Sequence, residues 1–369
     1  MARPWSYVTI MKGREAEYGA LALLDQKTSD EVTPMIQLWP GQSSNGGETE
    51  QMWPDNGGDK VARDLITNLL AKIKDRWPED RPVLLDGEWL ANGAAYTQVL
   101  DAVRGAGRRP LPVTGLERPD DYQQVVAQAV AQDGQGCVLR LCRDDFTDAF
   151  AWRLDARVAK LGLTPDQVDI VLDLREIEQR YLVRDEILVT NVIRSLPHLE
   201  DWRNLALAGS SAPARVKVDD YPLDSITPYP RLEWWLWQMV RKRGEAIGRL
   251  LIYGDYGANH PDRVEESSSP GSLPRIPQIR YTGENETLLL RGQDLKKDET
   301  DPDQFRRLLG KLIADKARWS GDDYSWAERW IIEVARGGAN LSIAMIWHRV
   351  WTVHHWTFVI QQLASRSDF

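Results

Sequence analysis

Short apolar runs recur along the first 256 residues, each followed by a longer stretch with helical spacing. The runs are YVTIM (7–11), TPMIQLW (33–39), PVLLDGEW (82–89), RPLPVTG (109–115), GCVLRLC (136–142), VDIVLDL (168–174), RNLALAG (203–209) and RLLIYG (249–254). Between them, DKVARDLITNLLAKIKDRW (59–77) carries an apolar stripe at the 3.6-residue period. YTQVLDAVRGAG (96–107), DDYQQVVAQAVAQ (120–132), TDAFAWRLDARVAKLG (147–162), RDEILVTNVIRSL (184–196) and YPRLEWWLWQMVRKRG (229–244) follow the same plan. An unbroken strand–helix series means parallel strands joined by right-handed crossovers. Eight such units in this length predict an α/β fold, a closed (β/α)8 TIM-like barrel.

The loops are unequal in a directional way. Helix-to-strand connections are mostly short, such as PED (78–80), RR (108–109) and DGQ (133–135). The long loops, 40–58, 210–228 and 255–275, all leave the carboxyl ends of strands, the face on which barrel enzymes carry their sites. The segment 41–58 is polar and glycine-rich, which predicts a mobile loop with Trp53 as a partner anchor.

After the barrel, IPQIRYTGENETLLLRG (276–292) reads as a β-hairpin turning at GEN, and three helices follow over 301–315, 325–338 and 341–364. The last of these is apolar around most of its circumference. Arg349 and three histidines argue against a membrane span, so the pattern predicts a helix buried on several sides that closes or covers the barrel. The expected organisation is a barrel over 1–256 and a hairpin plus Trp-rich helical extension over 257–369, packed as one structural unit.

Charge and composition narrow the function. A net charge of −9 argues against a broad duplex-DNA or anionic-membrane footprint. The two cysteines, Cys137 and Cys142, lie five apart on one strand and point to opposite faces, so no disulfide is expected between them. Buried free thiols and the lack of an apolar leader in MARPWSYVTIMKGRE predict a cytoplasmic protein. Of the 16 tryptophans, many fall late, which first of all means aromatic packing on a core and secondly a stacking surface for a partner or a base.

The opening strand followed by MKGREAEYGAL resembles the start of the beta protein family of bacteria and tailed phages, the phage T4 beta-protein-like group. TPMIQL, LRLCRDDF, VDIVLDLRE, IRYTGENETLLLRG, WSGDDYSWAERWI and VHHW resemble it in the same order over nearly the whole chain. The resemblance implies a phage-related or mobile-element setting, with antiviral defence as one form of it. It implies no particular enzymatic activity.

Residues that end barrel strands point into the mouth. Lys12 and Arg14 follow the first strand, Asp86 and Glu88 end the third, and Glu117 follows the fourth. Arg143, Asp144 and Asp145 follow the fifth, Asp173, Arg175 and Glu176 end the sixth, Ser210 and Ser211 follow the seventh, and Asp255 ends the eighth. Asp86, Glu88, Asp145, Asp173 and Asp255 form a candidate catalytic carboxylate set that suits a Mg²⁺ ion. Lys12, Arg143, Arg175, Ser210 and Ser211 form a candidate anion-binding set, with GSS after strand seven placed like a barrel phosphate cradle. Lys12 with that GSS also resembles barrel sites for pyridoxal phosphate, but the long loop after Ser211 argues against the cradle. The competing reading of all these charges is a salt-bridge network that caps the barrel.

Several chemistries are disfavoured. No histidine lies in the barrel strands, and strand seven ends in GSSAP with no acid for a paired-carboxylate glycosidase. No Walker loop, GxSxG elbow, CxxC pair or post-strand GxGxxG is present. His354 and His355 diverge on their helix and read as structural, and Ser320, Asp322 and Asp323 read as a helix cap from which Asp322 could also reach toward the site. The sequence thus predicts a phage- or defence-associated barrel that recognises a phosphate-containing anion, such as a nucleotide or nucleic acid, at its mouth, with metal-dependent hydrolysis as a further step. The alternative is a non-catalytic subunit that docks a partner protein encoded nearby.

Overall fold

Strand side chains alternate between two faces, and the register decides which face becomes core. In the computed structural model, eight parallel strands close into a barrel: β1 (Tyr7–Met11), β2 (Val32–Gln37), β3 (Pro82–Asp86), β4 (Arg109–Thr114), β5 (Cys137–Cys142), β6 (Val168–Glu176), β7 (Asn204–Ser210) and, after an intervening β8 (Ser225–Pro230), β9 (Ile252–Asp255). The structure describes residues 5–39, 58–77, 81–90, 92–243, 248–262, 276–294, 296, 301, 303–338 and 344–365. The expected mobile loop at 41–58, with Trp53, lies outside the described residues except for Gly58.

Val8, Ile10, Met35, Leu84, Leu111, Val113, Val138, Val171, Ala206, Ala208, Ile252 and Tyr256 fill the barrel interior. Counting by twos from these residues sets which side chains reach the mouth. The opposite parity faces the helices: Tyr253 packs edge-on against Trp234 and Trp237 of α8 (Leu232–Arg241). The crossover helices α3 (Gly58–Arg76), α4 (Gly93–Gly105), α5 (Asp120–Asp133), α6 (Phe150–Lys160) and α7 (Leu182–Ser195) lie where the sequence predicts them. Asn92 caps α4 by accepting the Ala95 N–H, and Gly134, at φ 63°, ends α5 in the left-handed conformation that glycine adopts freely.

The chain forms two compact units whose boundary is not a single cut at residue 256. The first comprises Met1–Gly13, Thr33–Ser210 and Leu232–Tyr256, and the second Arg14–Val32, Ser211–Arg231 and Gly257–Phe369. The second therefore takes α1 (Glu15–Leu21), α2 (Gln26–Glu31) and β8 from within the barrel's stretch of sequence. The predicted hairpin is present as β10 (Gln278–Thr282) and β11 (Glu286–Arg291), and β8 pairs with β11 to make a three-stranded sheet. Part of the expected 210–228 loop and the start of the expected 229–244 helix are thus strand. Pro228 and Pro230 argue against a strand, but β8 is an edge strand of its sheet, where proline is tolerated.

The second unit also holds α9 (Gln304–Ala314), α10 (Trp326–Ala335) and α11 (Ala344–Ala364). α11 packs against α1, α2, α10 and β10, which explains its nearly continuous apolar circumference. Among the described residues no helix is long and apolar enough to cross a membrane. The α10 cap is Ser325, whose hydroxyl accepts the Ala327 N–H, while Asp322 instead accepts the Trp319 indole N–H. His354 and His355 are buried structural residues: His354 bridges Glu328 and the Thr282 carbonyl, and His355 meets the Thr282 hydroxyl.

Candidate functional site

The site is built around Arg140. Two residues beyond the interior Val138 on β5, its side chain must enter the barrel, where an uncompensated charge would be strongly destabilising. Residues on or just past three other strands answer it, β3, β6 and β9. Nη1 donates to Asp86 Oδ2 at 2.6 Å, Nε and Nη2 donate to Asp173 Oδ2 at 2.8 and 2.6 Å, and Nη2 donates to the Tyr256 hydroxyl at 2.8 Å. The Tyr256 hydroxyl in turn donates to Asp173 Oδ2 at 2.6 Å. Arg140, Asp86, Asp173 and Tyr256 are all buried.

A second tier lies toward solvent. Glu88 Oε2 accepts from Arg140 Nη1 at 3.1 Å, and its Oε1 lies 3.2 Å from Arg118 Nη1 and 2.5 Å from Arg175 Nη2. Arg118 also reaches Asp86 Oδ1 at 3.2 Å. The Arg175 side chain is 32% exposed. Its backbone is at φ 55°, beside an irregularity in the β6–β7 pairing, and its N–H donates to Asp173 Oδ1 at 2.9 Å. A non-glycine residue in the left-handed region is strained by about 1–3 kcal/mol. The bend it makes turns the guanidinium from the strand end toward Glu88.

Electrostatics favours the charged forms of Asp86 and Arg140. Burial alone pushes the Asp86 carboxyl up, but the Arg118 and Arg140 guanidiniums and their hydrogen bonds hold it below its ordinary value. Burial opposes the charge on Arg140 as well, and Tyr256, Asp173, Asp86 and Glu88 together keep it protonated, with its pKa raised well above normal. Burial pushes the Cys142 thiol up to about 11, so it stays protonated rather than serving as a nucleophile. Three guanidiniums thus meet three carboxylates. Among the described residues no group of three or more histidine, cysteine or carboxylate side chains is arranged to hold a metal ion. One donor is left over: Arg118 Nε is buried, with no hydrogen-bond acceptor.

The expected site residues divide sharply. Asp86, Glu88, Asp173 and Arg175 converge. Lys12 and Ser210 are buried at strand ends with inward parity, and the Ser210 carbonyl accepts the Ile177 N–H. Asp145 sits just past β5, where its Oδ2 accepts the Cys142 N–H at 2.8 Å and burial raises its pKa. The others turn elsewhere. Arg143 forms a two-point ion pair with Asp185 of α7, at 2.6 and 2.8 Å. Asp255 has the outward parity and accepts the hydroxyl of Tyr7 on the helix side of the barrel. The Ser211 hydroxyl donates to the Pro230 carbonyl at 2.7 Å within the second unit, and the exposed Glu117 pairs with Arg153.

Three members were not anticipated from sequence: Arg140, Arg118 and Tyr256. Arg140 had a readable signal, a lone arginine inside an otherwise apolar strand, GCVLRLC. Tyr256 lies one residue past its strand at the parity of Ile252 and Gly254, and strand-end counting favoured Asp255 instead.

A sequence model described as Beta protein matches residues 7–361, nearly the whole chain, and the chain belongs to that family. No curated protein matches it.

Proposed function

We propose that this Beta-family barrel binds a phosphate-bearing anion at its mouth, with Arg118 and Arg175 as the binding cations. One observation carries the reading: both guanidiniums converge on a single oxygen of Glu88 at a partly exposed position. Glu88 acts there as a resident anion. A phosphate, with more charge and more acceptor oxygens, can displace it and engage two planar guanidinium forks. The orphan Arg118 Nε supplies a further donor. Arg140, Asp86, Asp173 and Tyr256 form the rigid base that fixes the direction of the upper tier. Hydrolysis is left out of the proposal, since Asp86, Glu88 and Asp173 are each engaged by guanidinium. A setting in phage infection or antiviral defence rests on the family resemblance and not on the site.

Calorimetric titration with pyrophosphate tests the reading. Saturable one-to-one binding is expected, weakened at least about tenfold by Arg175→Ala and tightened by Glu88→Gln, which removes the competing carboxylate. Absence of saturable binding at millimolar pyrophosphate, or indifference to both substitutions, would overturn it.

A second reading, a subunit that docks a partner protein, draws on a different observation. Trp152 on α6 is 73% exposed, and Val183 and Ile187 on α7 are exposed too. Exposed aromatic side chains of this kind are common anchors of protein interfaces. Hydrogen exchange in the presence of a candidate partner separates the readings: protection of α6 and α7 favours docking, and protection of the β3 and β6 ends favours the mouth.

A further inference from the structure

We infer that the ligand at the barrel mouth carries a planar ring that stacks on Trp89, which makes its class a nucleotide; this rests on the anion reading above. Trp89 immediately follows Glu88, the residue on which the three guanidiniums converge. The turn that presents it is locked. The Gly87 N–H donates to the Tyr122 hydroxyl at 3.0 Å, the Glu88 N–H to Asp86 Oδ1 at 3.0 Å, and the Leu90 N–H to the Gly87 carbonyl at 2.9 Å. Beneath it, Tyr96 and Tyr122 stack at 4.5 Å, and a Cβ at Gly87 would lie 2.9 Å from both rings. Only glycine lets the chain pass this close.

Trp39, two residues beyond β2, flanks the Trp89 ring at 5.0 Å and 54°. Even so, Trp89 remains 39% exposed. A partly exposed indole on a hydrogen-bonded turn, next in the chain to the carboxylate that gathers the arginines, is not explained by core packing, which would bury it. It matches a stacking platform whose ordering cost is met before the ligand arrives. Phosphate on Arg118 and Arg175 with a ring on Trp89, the neighbour of Glu88 in the chain, is the pattern of a nucleoside monophosphate. The net charge of −9 favours a single small nucleotide over a long polyanion.

The test compares pyrophosphate, ribose 5-phosphate, phenyl phosphate and the four nucleoside monophosphates by calorimetry on the full chain. At least one nucleotide should bind about tenfold or more tightly than ribose 5-phosphate, the scale of one base stacked on an aromatic side chain. Trp89→Ala should erase that advantage and leave ribose 5-phosphate within about twofold, while Trp89→Phe keeps most of it. With 5-fluorotryptophan labelling, the ¹⁹F resonance of Trp89, assigned by Trp89→Phe, should shift with that nucleotide and not with ribose 5-phosphate, a readout that does not need the alanine variant to fold. If ribose 5-phosphate binds as tightly as every nucleotide, the ring inference fails while the anion reading stands. If phenyl phosphate matches the best nucleotide, the nucleotide class is wrong. If no phosphorylated probe binds, the anion reading fails and takes this inference with it.

Discussion

Arg140 and Asp173 are joined twice through one atom: Nε and Nη2 of the arginine both donate to Asp173 Oδ2, at 2.8 and 2.6 Å, and neither side chain is exposed. The pair closes the barrel interior from above and supports the polar tier that faces solvent. Such a pair stabilises less by its presence than its disruption destabilises, because the surviving charge is left in a low-dielectric interior.

Arg140→Met should therefore destabilise the protein by about 3–5 kcal/mol, since it leaves Asp86 and Asp173 buried without their shared cation. Urea denaturation followed by far-ultraviolet circular dichroism measures it. A loss under about 1 kcal/mol would mean that the carboxylates find other partners or take up protons.

The backbone strain at Arg175 has its own signature. Arg175→Gly and Arg175→Ala both remove the guanidinium, but only glycine relaxes at φ 55°. The glycine variant should be more stable than the alanine variant by about 1 kcal/mol, with pyrophosphate binding weakened alike in both. Equal stabilities would show that the left-handed conformation is lost once the side chain is gone.

Acid sensitivity should come partly from Glu328. Burial pushes its carboxyl up, but His354 and the Ser325 hydroxyl hold it below its ordinary value. A carboxyl depressed in the folded state contributes stability above its unfolded pKa, about 4.3, and loses it as pH falls through the folded value. Thermal melts of the wild type should drop below about pH 4.3, and Glu328→Gln should start lower at neutral pH and fall less across that window. Parallel acid limbs would rule out a contribution from this pair.

Trp351→Ala should cost roughly 3–5 kcal/mol, the usual range for truncating a buried aromatic side chain. The indole is buried within the second unit, with the Arg280 guanidinium 5.4 Å from its ring centre. Chemical denaturation of the variant checks it, and a loss below about 1 kcal/mol would mean that the surroundings collapse into the space.

Periodicity alone carried the barrel: eight apolar runs separated by amphipathic helices leave parallel closure as the consistent way to bury both faces of every strand. It also carried the hairpin and the buried last helix, where an apolar circumference demands partners on all sides. Four site residues, Asp86, Glu88, Asp173 and Arg175, were readable as strand ends. The tertiary structure decided the rest, because a strand end names a position and not a direction. Parity turned Asp255 outward to Tyr7 and brought Tyr256 inward, and the α7 carboxylate of Asp185 drew Arg143 away from the mouth. Arg140 became central only once closure placed β3, β6 and β9 around it, and β8 became a strand only when the distant β11 offered it an edge. Local pattern fixes what each segment must bury. Which charges then meet depends on pairings between residues 32 to 116 positions apart, such as Arg118 with Asp86 and Arg140 with Tyr256, and those exist only in the folded chain.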